Sequence, residues 1–106
     1  MRKLDLSKYK ISIRDNDGNM KVVDYFFKES VVEIMFHPDL KLSGRELLQN
    51  DIVAEKIEKS DNEVLLEEDE YYKVKNAIDT YKGFSRNEVE MIKRINNCPK
   101  IEVKEK

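Results

Sequence analysis

Histidine and cysteine occur once each in this sequence of 106 residues, and the spacing of its many carboxylates limits what they can do. The tract Asp15-Asn16-Asp17-Gly18-Asn19 resembles part of a calcium-binding loop. With Gly18 at the sixth position of such a loop, the first ligand falls on Ile13 and the twelfth on Asp24, where the site needs a carboxylate and a bidentate glutamate. Ile13 cannot ligate, so the tract is expected to turn the chain, with Asp17-Gly18 supplying the positive φ angles of a tight hairpin. His37 is the single histidine and Cys98 the single cysteine, which leaves no set of histidines for a zinc site and no internal disulfide. Cys98 precedes Pro99 at a helix end with no group beside it to lower its pKa, and it is expected to be a small buried thiol.

The acidic run Glu67-Glu68-Asp69-Glu70 is the one cluster that could hold a divalent ion or act as paired carboxylates. Successive helical residues point about 100° apart, so only Glu67 and Glu70 share a face, and a role at the positive end of a helix dipole accounts for the run. The three glycines, at 18, 44 and 83, make no phosphate-binding loop, and no serine sits in a nucleophile elbow. The expectation is a protein with no catalytic residue, no cofactor and no metal.

Charge is distributed unevenly along the chain. Residues 1–14 carry five basic and one acidic side chain, residues 61–70 six acidic and no basic, and residues 71–106 nine basic and five acidic. An acidic patch beside an exposed aromatic can dock a basic protein, which makes Glu67, Glu68, Glu70 and Tyr72 the candidate protein-interaction residues. The competing surface is basic: Lys8, Lys10 and Arg14 on a strand face, with Arg86, Lys93 and Arg94 on the last helix, would suit a small nucleic-acid-binding regulator. Against it, Glu88 and Glu90 stand at the start of that helix, where a helix-turn-helix reader presents basic and amide groups.

The elements that must position these residues follow from periodicity. Tyr9, Ile11 and Ile13 alternate with Lys10, Ser12 and Arg14, and Met20, Val22 and Val23 continue beyond the turn, which reads as a β-hairpin. Phe27, Val31, Ile34 and Met35 lie on one face of a helix over 26–36 that Pro38 stops; Phe26 and Phe36 make it apolar nearly all round, as in a helix sandwiched between a sheet and other helices. Two capping boxes with hydrophobic staples, Ser43 with Glu46 and Ser85 with Glu88, open helices over 44–58 and 86–97. Asn50 and Asp51 could break the first of these in two. Residues 63–66 read as a short strand or an extended entry, and Glu67–Glu70 start a helix with the stripe Tyr71, Val74, Ile78 and Tyr81, ended by a left-handed cap at Gly83. Ile101 and Val103 alternate with lysine and glutamate as a closing strand, paired with 63–66 or with the hairpin.

The expected fold is a small α+β domain spanning residues 1–106 in the order β-β-α-α-(β)-α-α-β, frayed over 1–6 and 104–106. No apolar run reaches the roughly 20 residues that span a bilayer, and no amino-terminal run has signal-peptide character, so a reducing, cytoplasmic setting is expected, or a virion if the protein is phage-encoded. The lysine-, asparagine- and isoleucine-rich texture resembles that of small accessory proteins of phages and mobile elements. A non-enzymatic interaction or assembly protein, self-associating or bound to a protein partner, is therefore the leading functional expectation.

Overall fold

The computed structural model describes residues 1–101, and the chain is α+β: two antiparallel two-stranded sheets and four α-helices. In chain order these are β1 (Arg2–Asp5), β2 (Tyr9–Arg14), β3 (Met20–Tyr25), α1 (Phe27–Met35), α2 (Gly44–Glu58), β4 (Glu63–Leu66), α3 (Glu68–Thr80) and α4 (Val89–Asn96), with 3₁₀ turns at Pro38–Leu40 and Arg86–Glu88. Helix α1 packs on α2 and α3, and α4 packs on α3 and β1. One core joins Phe27, Val31 and Met35 to Val53 and Ile57, Tyr71 and Val74, and Met91 and Ile95.

Residues 1–6 are not frayed. β1 pairs antiparallel with β4, Leu4 opposite Val64 and Arg2 opposite Leu66, and Leu4 and Leu6 are buried in the core. Their alternation with Lys3 and Asp5 is the period of a half-buried strand. Burying two leucines contributes roughly 3–6 kcal/mol toward the cost of ordering a chain end. The closing segment also pairs differently from expectation: Lys100 bridges Arg2 on the free edge of β1, and the Ile101 N–H donates to the Met1 carbonyl at 2.8 Å. Val103 and residues 104–106 lie outside the described residues.

The hairpin of β2 and β3 forms where expected, but its turn has another chemistry. Within the turn only Gly18 has a positive φ (83°), and the Gly18 N–H donates to the Asp15 carbonyl while Asp15 N–H donates to the Asn19 carbonyl. That is a type I turn closed by a glycine bulge, the usual three-residue hairpin loop. The Asp15 carboxylate accepts from the N–H groups of Asp17 (3.0 Å) and Asn19 (2.9 Å), so the best candidate ligand of the tract is spent on its own backbone.

Helix α2 is continuous through Asn50 and Asp51. Its start has the expected box, Glu46 N–H donating to Ser43 Oγ and Ser43 N–H to Glu46 Oε1. Asn50 is the single buried amide side chain among the described residues, and its Nδ2 donates to the Met35 carbonyl at 2.9 Å. That carbonyl belongs to the last turn of α1, which has no intrahelical donor left to offer it. The asparagine that looked like a break is a tie between two helices. Helix α3 ends at Thr80, with Tyr81 extended; Gly83 does have a positive φ (114°), but it lies in the connection beyond the helix rather than capping it. Phe26 is exposed at the amino-terminal edge of α1, so that helix is buried on one face rather than sandwiched.

Replacing Asn50 with Ala should leave the Met35 carbonyl buried without a donor and lower stability by about 1–3 kcal/mol. Thermal unfolding should shift down by roughly 5–20 °C. An unchanged midpoint would mean that the tie contributes nothing.

Candidate interaction surface

The acidic run occupies the start of α3, and two of its members are engaged within the chain. Glu68 Oε1 accepts from Arg2 Nε at 3.1 Å, and Glu70 Oε1 accepts both from Lys56 Nζ and from the Glu67 N–H, each at 2.8 Å. Glu70 therefore caps α3 and ties it to α2, as the shared face of Glu67 and Glu70 allows. Glu67 and Asp69 remain exposed beside a shallow groove that Ile52 and Lys73 also line, and Tyr72 is exposed one position from the buried Tyr71. Among the described residues, no three His, Cys, Asp or Glu side chains gather closely enough to share an ion.

The six basic candidates do not form one face. Lys8 and Lys10 both hold Asp24, the first at 3.2 Å, and their hydrogen bonds keep its carboxyl below the usual range. Arg94 turns inward: it donates to the Ser7 carbonyl and to Glu90, lies near Asp5, and packs over the rings of Tyr9 and Phe27. Its part is to fasten α4 to the base of the hairpin. Arg86 and Lys10 share a groove with Glu90, while Arg14 stands at the far end of the hairpin and Lys93 is exposed on α4. Phosphates meeting this surface would find carboxylates interleaved with the cations.

His37 and Cys98 serve the fold. His37 Nδ1 accepts from the Asp39 N–H and the ring lies edge-on to Tyr81. The Cys98 thiol donates to the Lys3 carbonyl, and burial pushes its pKa up, away from the reactive thiolate.

The feature that periodicity did not expose is apolar. Along the hairpin, Tyr9 and Tyr25 stack at 4.9 Å and reach the core, but Ile11, Ile13 and Val23 beyond them are only half-buried. On the opposite face Met20 and Val22 are 64% and 63% exposed. Both edges of the ribbon are free among the described residues. The described residues extend 55 × 35 × 22 Å with a radius of gyration of 15.1 Å, against about 13 Å for a compact chain of this size. A second exposed pair, Leu48 and Ile52, stands on the outer side of α2. The signal was present as a surplus: α2 has six large or small apolar residues where one buried face uses three.

No protein-family model, curated protein or solved structure matches this chain. Among the described residues, no helix is long and apolar enough to cross a membrane.

At the hairpin base the Tyr9 hydroxyl donates to the Asn87 carbonyl at 2.8 Å, and burial, with Tyr25 alongside, pushes its pKa up to about 12. The folded state thus favours neutral Tyr9. Its contribution is complete below the unfolded pKa of about 10 and is lost as pH rises through about 12. The difference between tyrosinate absorbance titrations of the wild type and Tyr9→Phe should place Tyr9 about two units above a free tyrosine. Titration near 10 would mean that the hairpin base is open to water.

Proposed function

We propose that this chain is a non-enzymatic protein-interaction or assembly component, and that the hairpin of β2 and β3 is its principal contact with a protein partner. One observation carries the reading: beyond Tyr9 and Tyr25 the ribbon holds apolar side chains on both faces, outside the core, with two unpaired edges. An isolated two-stranded hairpin is marginal in water and its edges invite pairing, so a ribbon of this kind gains most when a partner covers it. Strand addition along an edge, with Met20 and Val22 or Ile11 and Ile13 entering apolar pockets, is the mode that suits it. The texture shared with small phage and mobile-element accessory proteins points to the same class.

The acidic start of α3 has a reduced share in this proposal. Glu68 and Glu70 are engaged within the fold, which leaves Glu67, Asp69 and Tyr72 as an accessory patch for a partner with basic side chains. Nucleic-acid binding has less to support it, because Lys8, Lys10 and Arg94 are held by carboxylates or carbonyls of the same chain.

The test is a pull-down from host extract with the wild type and with Met20→Glu/Val22→Glu. Both substitutions lie on an exposed face, so the melting temperature should move little. The captured partner should be lost with the double variant and kept by the wild type at about 0.5 M salt, where phosphate-driven binding has collapsed. Capture that survives the double variant, or that disappears from the wild type as salt is raised, would contradict the proposal.

A further inference from the structure

Helix α2 turns Asn50, Val53, Ala54 and Ile57 into the core. At about 100° per residue, the stripe directly opposite runs through Arg45, Leu48, Ile52, Glu55 and Lys59. All five are exposed, Leu48 by 69% and Ile52 by 67%. A single exposed leucine needs no explanation, but these two stand one turn apart on the line farthest from the core. The spacing of three, four, three and four residues is that of helices that pair along their length. The tie from Asn50 to the Met35 carbonyl fixes the rotation of α2 about its own axis, and so keeps this stripe pointing outward.

We propose that the outer face of α2 is the contact of a homodimer, in which it packs antiparallel against α2 of a second copy about a two-fold axis at the level of Asn50. The stripe is complementary to itself under that operation. Residues 48 and 52 are equidistant from 50, and so are 45 and 55. Leu48 then meets Ile52 of the second copy, and Ile52 meets its Leu48, giving two apolar layers. Arg45 meets Glu55 of the second copy at each end, giving two ion pairs that bracket them. A parallel arrangement would instead set Arg45 against Arg45 and Glu55 against Glu55, so the charges select the antiparallel one.

Arg45 and Glu55 are free for this role, because among the described residues neither has an opposite charge within ion-pair distance. Asp51 flanks the axis and would approach its own copy, but at the wet rim, where repulsion between exposed charges is small. An isologous contact of one helix per copy, about 22 Å long, lies at the small end of specific interfaces, and a reversible dimer is the expected form.

Sedimentation equilibrium of the full chain up to about 1 mM at low salt is the test, with circular dichroism to verify that each variant folds. The wild type should show a reversible monomer–dimer equilibrium. Ile52→Glu should weaken it at least about tenfold by putting a charge in both apolar layers. Arg45→Glu and Glu55→Arg should each weaken it, because each sets like charges face to face, while the two together should restore it to within about threefold. The hairpin variant Met20→Glu/Val22→Glu should dimerise like the wild type, so this inference and the hairpin reading stand or fall separately. A chain that stays monomeric throughout, a dimer indifferent to Ile52→Glu, a combined charge swap as weak as its parts, or a dimer lost in the hairpin variant would each overturn the inference.

Discussion

Strand β1 ties the amino-terminal residues to β4 in the middle of the chain and to Lys100, and brings Leu4 into the shared core. On one side it pairs with β4, on the other with Lys100. Arg2 connects it to the helices beneath: the guanidinium lies 4.5 Å from the centre of the Tyr71 ring, donates to Glu68, and donates to the Cys98 carbonyl at 2.8 Å. Tyr71 in turn donates its hydroxyl to the Ile95 carbonyl at 2.6 Å, and Cys98 donates to the carbonyl of Lys3. Each of these polar groups is buried or half-buried with a partner, so the chain is spared the penalty of unpaired groups in a low-dielectric interior. Loop closure over such distances costs entropy that leucine burial and this network together offset.

Once the core is closed in this way, some apolar side chains have no place in it. Helix α2 has one face to bury and carries bulky aliphatic residues on two. The hairpin reaches the core through Tyr9 and Tyr25 and leaves its outer half in water. Much of the charge, by contrast, is used at short range: Asp24 between two lysines, Glu70 on Lys56 and a helix start, Arg94 among Asp5, Glu90 and a carbonyl. Charge held at short range and aliphatic side chains left outside are the two features from which the proposed role in protein contact is argued. Surplus apolar area is costly to leave in water, and the proposed contacts would remove it.

What could be read from the residues alone was what acts locally. The serine–glutamate boxes at 43–46 and 85–88, the stop at Pro38 and the turn at Asp15–Asn19 each depend on groups within a few positions of one another. β1 is not legible in sequence because two leucines near a terminus make too short an alternation, and their burial depends on a partner strand some sixty residues away. Asn50 reads in sequence as a helix break because its hydrogen-bond acceptor lies on another helix. Arg94 reads in sequence as a phosphate ligand, since only the folded chain places Ser7, Tyr9 and Phe27 around it. The seam of α2 was visible as six apolar residues in one helix, but which of them face outward is decided by packing on α1 and α3.

The division between a closed body and a hairpin that extends beyond it is tested most directly by native-state amide hydrogen exchange. Amides of β1 and β4, such as Leu4 and Val64, should exchange only through global unfolding, and amides of β2 and β3 beyond Tyr9 and Tyr25 through a lower-energy local opening. Equal protection of Val23 and Leu4 would contradict it, because the hairpin would then be part of the cooperative body.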